Sequence, residues 1–152
     1  MKMKLDVWII FFLFLFSISC NNIPKIKTAE ELKQELLTKE TSTPLLYLSV
    51  DANMNENKVV VQKGNFFHHS KLGTDGWIIN GVIKNTASLA KFKDVVVEVT
   101  FYTQTKTAIE AKDFIIYKYF DPHSSVPFEL KVFPPDTMNS FGITIKKATS
   151  VN

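Results

Sequence analysis

One cysteine, Cys20, three histidines and fifteen carboxylates are the side chains from which this chain would have to build a nucleophile, a metal site or an acid/base pair. Cys20, which follows small residues at the end of an apolar run, is the one thiol nucleophile on offer. His68 and His69 are adjacent, and successive residues of an extended chain point to opposite faces, so the two cannot easily share one metal. With His123 the only other histidine and no second cysteine, no metal and no cofactor are expected. There is no Gly-x-Ser-x-Gly elbow. Asp94, Glu98, Glu110, Asp113, Asp121 and Glu129 stand singly, whereas glycoside hydrolysis needs two carboxyls facing one another about 5–10 Å apart. Asp94 and Glu98, with Lys93, flank a valine run and read as charges that discourage strand aggregation. A non-enzymatic protein is expected, with hydrolases the least supported class.

Binding chemistry is better represented. Residues 113–120, DFIIYKYF, put Ile115, Tyr117 and Tyr119 on one side of a strand and Phe114, Ile116 and Phe120 on the other. A sandwich strand ordinarily wets one face, so either another part of the chain covers the second face or it binds a protein partner or a sugar, because tyrosine serves both uses. Ile115, Tyr117 and Tyr119 are therefore the candidate partner-binding residues. Nucleic acid is not an expected partner: the net charge is only +3, and all 18 basic residues are lysines, so no guanidinium fork is present to read phosphates or base edges.

The first twenty residues explain the cysteine. Lys2 and Lys4 precede an apolar stretch of about a dozen residues, shorter than the roughly 20 that a spanning helix needs, and small residues follow. This is the pattern of a signal peptide. The segment Phe16-Ser17-Ile18-Ser19-Cys20 resembles the lipobox of bacterial lipoproteins, with Ser17 where Leu or Val is usual. The resemblance implies that Cys20 is lipidated, becomes the mature N-terminus and ties the protein to a membrane. Ordinary cleavage after the small-x-small run, leaving a free thiol, is the alternative. Two or three acyl chains, at about 0.8 kcal/mol per buried methylene, anchor a protein without a spanning helix. A bacterial cell-envelope location follows, on the outer membrane if the host is Gram-negative, since Asn21 is not the Asp that resembles an inner-membrane retention signal. A lone cysteine permits no disulfide within the chain, so stability must come from the core.

Three segments follow from this reading: a leader over residues 1–19, a lipidated tether with a short helix over 20–43, and a β domain over 44–152. Thr28-Ala29-Glu30-Glu31 is a capping box that should start a helix of about three turns. Ala29, Leu32, Leu36 and Leu37 share one side of it, Glu35 and Lys39 are spaced as an i,i+4 pair, and Pro44 stops it. Its leucine stripe is the nearest candidate to cover the tyrosine face. From Pro44 onward the apolar period is 2. Strands are expected over residues 45–50 and 58–67, separated by a polar loop over 51–57, then around Trp77 to Ile83, Val95 to Phe101, 108–120, Val126 to Val132 and Phe141 to Ile145. Asn80-Gly81 has the composition of a hairpin turn, but the alternation keeps its phase across it, so Gly81 should mark a bulge or a close approach. Seven closely spaced strands with no helix-length connection predict an all-β antiparallel sandwich preceded by one short helix.

Gly81-Val82-Ile83-Lys84-Asn85, the run from Phe92 to Tyr102, the Phe128-Glu129-Leu130 strand and the last strand resemble the core of FxLYD domains of bacterial envelope proteins. The name-giving motif is altered, with Val99, Phe101 and Thr103 in place of its Phe, Leu and Asp and with Tyr102 kept. The resemblance implies an immunoglobulin-like sandwich and transfers no catalytic residue. The function expected is a lipid-anchored envelope module that binds a protein or self-associates, with a carbohydrate-binding module as the alternative.

Overall fold

The computed structural model describes residues 26–62 and 71–151. Helix α1 (Ala29–Ser42) starts where the capping box places it: Thr28 Oγ1 accepts from the Glu31 amide at 3.2 Å, and Glu31 Oε2 accepts from the Thr28 amide at 2.8 Å. Two otherwise orphaned donors at the helix start are thereby satisfied. The ion pair expected between Glu35 and Lys39 does not form; Glu35 pairs with Lys27. A 3₁₀ turn (Pro44–Leu46) follows, where the sequence suggested a strand, because Thr43 and Pro44 carbonyls accept from the Leu46 and Tyr47 amides.

Six strands follow: β1 (Leu48–Gln62), β2 (Lys71–Asn85), β3 (Lys91–Tyr102), β4 (Ala108–Phe120), β5 (Ser125–Val132) and β6 (Ser140–Val151). They form two three-stranded antiparallel sheets, β1-β2-β5 and β4-β3-β6. Six rather than seven appear because the supposed loop over residues 51–57 is strand. Asp51, Asn53 and Asn55 point to solvent, while Val50, Ala52 and Met54 pack against the core with their register partners Ile83, Gly81 and Ile79. The asparagines suggested a turn, but the period-2 alternation beneath them is what the strand obeys.

β2 and β3 are the central strands. Ile79 and Ile83 from β2 and Phe92, Val95, Val97, Val99 and Phe101 from β3 are fully buried, each contributing roughly 1.5–3 kcal/mol of apolar burial. Phe92 and Val95 are three residues apart yet both face inward. Asp94, at φ 50°, supplies the extra residue of a bulge, and the register skips there against both β4 and β6. β2 runs uninterrupted through Asn80-Gly81. Gly81 is the close approach: a Cβ on it would lie 2.5 Å from Phe128 Cζ and 2.8 Å from Ala52 Cβ.

Candidate functional site

Strand alternation sorts β4 into two faces. Ile116 and Phe120 are buried and Phe114 packs against the core, while Ile115, Tyr117 and Tyr119 project from the outer face of the β4-β3-β6 sheet. Tyr117 is 78% exposed, Tyr119 59% and Ile115 45%. β3 places Val96 opposite Ile115 and Lys93 opposite Tyr119. The Lys91 ammonium lies 4.7 Å from the Tyr119 ring centroid and 2.8 Å from Asp121 Oδ1, which holds one tyrosine in place and leaves the other open. Further along the same face, Lys146 Nζ reaches Glu98 Oε2 at 3.0 Å and Asp113 Oδ2 at 3.1 Å. Hydrogen bonds to Glu98 and Asp113 push the Lys146 ammonium above its ordinary pKa, so the lysine stays charged at neutral pH. The face therefore offers an apolar, aromatic half beside a half of fixed charges.

Helix α1 does not cover this face, contrary to the expectation from its leucine stripe. Leu32 is 53% and Leu36 38% exposed, and only Leu37 packs against the core. The residue that docks the helix is Glu40, 1% exposed, whose carboxylate accepts from the amides of Ser88 at 2.7 Å, Leu89 at 2.8 Å and Ala90 at 2.8 Å. Burial raises the pKa of this group, but the three amides, with His123 nearby, outweigh it and leave the carboxyl below its ordinary value. Ser150 Oγ donates to the Thr41 carbonyl at 3.0 Å and completes the seam. The helix thus sits against the β2–β3 loop and the end of β6 and leaves the tyrosines exposed.

Asn85 secures the same loop from the other side. It is 1% exposed; its Nδ2 donates to the carbonyls of Ala90 at 2.9 Å, Phe120 at 3.0 Å and Asp121 at 3.1 Å, and its Oδ1 accepts from Ala87 at 2.9 Å. Neither Glu40 nor Asn85 stood out in the sequence. Glu40 lies in the last turn of the helix, where the macrodipole disfavours an acid, and that misplacement was its signal. Asn85 ends a strand, where asparagine is a poor β former.

Of the acids considered for chemistry, Glu98 and Asp113 are brought together as cross-strand partners. Lys146 lies between them on an open sheet face rather than across a cleft. Glu110 pairs with Lys112 at 3.0 Å and Asp121 with Lys91. No group of three metal-ligating side chains occurs among the described residues. Cys20, His68 and His69 lie outside them. The structure has a shallow depression over Gly81, lined by Asn53, Asn80, Val82 and Pro127 among others, and an apolar groove beside Pro44, Leu45 and Leu46. Among the described residues no helix is long and apolar enough to cross a membrane. Compared with protein-family models, with curated proteins and with solved structures, the chain finds no match in any of the three.

Proposed function

We propose that this protein is a lipid-anchored, non-enzymatic envelope module that binds another protein through the outer face of its β4-β3-β6 sheet. The observation that carries the reading is the exposure of Tyr117 between Ile115 and Tyr119, a side-by-side aromatic and aliphatic patch that the chain's own helix leaves open. Rigid aromatic side chains next to complementary charges are what protein interfaces use as anchors. The engagement of the Tyr119 ring by Lys91 favours a protein surface over a sugar, which stacks on free ring faces. The anchor is the acylated Cys20, followed by a short polar tether. The strand order, with first, second and fifth strands in one sheet and third, fourth and sixth in the other, supports an immunoglobulin-like sandwich of the FxLYD kind with six strands among the described residues.

Two experiments test this. Affinity purification from solubilised envelopes, comparing wild type with the Tyr117→Ser/Tyr119→Ser double variant, should lose a specific partner in the variant while the melting temperature stays the same. Equal recovery from both would remove the tyrosine face from the reading, and selective binding on a glycan array would favour the carbohydrate alternative. For the anchor, incorporation of labelled palmitate should vanish in Cys20→Ala; equal labelling would refute lipidation.

A further inference from the structure

The β4-β3-β6 sheet ends on β6, which pairs with β3 and with no other described strand. An unpaired strand edge is a row of backbone donors and acceptors ready to pair with another chain, and natural proteins blunt such edges with prolines, charges and bulges. Three of the four edges here are blunted in these ways. β1 has register breaks after Glu56 and Val60 and carries Asp51, Glu56 and Lys58. β5 contains Pro127, whose carbonyl accepts from Lys118 Nζ at 2.7 Å. β4 supplies that lysine and also carries Glu110, Lys112 and Asp113.

β6 differs over residues 140–145, Ser-Phe-Gly-Ile-Thr-Ile. The run has no proline and no charge, and its register with β3 is unbroken from Ser140 opposite Tyr102 to Ile145 opposite Val97; the break comes only after it. The layer beneath is also unfinished. Phe141, Ile143 and Ile145 are only partly buried, whereas their partners Phe101, Val99 and Val97 are fully buried, so the layer is less covered on the β6 side even though β1 and the 3₁₀ turn lie beside that strand. Where the run ends, Pro44, Leu45, Leu46 and Ala148 line a groove of about 480 Å³ flanked by Lys146 and Lys147. Leu45 is 49% and Leu46 75% exposed.

We infer that the free edge of β6 is a strand-acceptor site, and that its ligand is an extended segment of a partner protein in which apolar and acidic residues alternate. Backbone pairing requires the extended conformation, and period 2 then divides the ligand's side chains between two faces. Those facing inward complete the layer over Phe141, Ile143 and Ile145 and enter the Leu45/Leu46 groove. Those facing outward meet Lys146, which is shared with Glu98 and Asp113, and Lys147, which has no ion pair among the described residues. A second copy of β6 is a poor occupant, because that strand brings two more lysines and no carboxylate. The site shares Lys146 with the charged half of the outer face but uses none of its tyrosines, and it stands whether or not those bind a protein.

The test uses the full chain in detergent micelles and a fluorescein-labelled decapeptide of alternating valine and glutamate. Anisotropy should rise saturably, and amide hydrogen exchange should slow across residues 140–145. Lys147→Glu, an exposed substitution whose fold is checked by circular dichroism, should weaken binding at least about fivefold. A peptide N-methylated at every residue, and so without donors on either edge, should not bind. Four results would each overturn the proposal: no saturable binding into the millimolar range, equal binding of a valine–lysine peptide, protection of another strand instead of β6, or self-association of the chain alone with the same amides protected.

Discussion

Glu40→Ala tests the way the helix is joined to the sandwich. The carboxylate satisfies three amides, those of buried Ala90, half-buried Leu89 and exposed Ser88. Removing it leaves the Ala90 donor without an acceptor, at about 1–3 kcal/mol, and exchanges two charge-assisted bonds for bonds to water. Release of a buried charge offsets part of this. A net loss of about 2–4 kcal/mol is expected in urea unfolding. Because Leu37 and the Ser150–Thr41 bond are the other ties at this seam, α1 amides should lose their exchange protection while those of β2 and β3 keep theirs. Glu40→Gln should fall between wild type and alanine, since an amide oxygen can accept from Leu89 and Ala90 but turns an NH₂ toward Ser88. The pH dependence follows in sign. The folded pKa lies below the ordinary 4.5, so the contribution is complete above that pH and is lost as pH falls through the folded value. Wild type should therefore lose stability below about pH 4.5 with a steeper slope than Glu40→Gln. A loss under about 0.5 kcal/mol for Glu40→Ala with α1 still protected, or equal slopes for wild type and Glu40→Gln, would refute the latch.

Asn85→Ala should cost about 2–4 kcal/mol in thermal or urea unfolding, because four hydrogen bonds, three of them buried, are lost at once. Asn85→Asp should be worse, since it turns a carboxylate toward three carbonyls. Gly81→Ala should cost about 1–3 kcal/mol through collision with Phe128, and Phe128→Leu in the same chain should recover part of that loss; additive losses in the double-mutant cycle would mean that the two do not touch. Asp94→Gly should stabilise the β3 bulge by a few tenths of a kcal/mol to about 1 kcal/mol, and Asp94→Val should destabilise it, as read from melting temperatures.

The parts of the fold that could be read from the sequence are those set by local chemistry. Thr28 and Glu31 announce the helix start by their own hydrogen bonding, and the valine alternation of β3 announces its faces. Residues 51–57 misled because asparagine is read as a turn former, although Val50, Ala52 and Met54 kept the period; pairing with β2 overrode local preference. The outward set on β4 was legible from alternation alone. What covers it was not, because a leucine stripe says that a helix is amphipathic but not where its partner lies. The docking residue turned out to be an acid whose three amide partners are 48 to 50 residues away in the chain. No local pattern encodes such a contact.

The central claim, that the outer face of the β4-β3-β6 sheet meets a protein, is tested most directly by a photo-crosslinking amino acid placed at position 117 in cells, with position 53 on the opposite sheet as control. Both sites are exposed. A discrete, reproducible adduct from position 117 and none from 53 is the predicted result; no adduct at 117, or the same adducts from both positions, would contradict it.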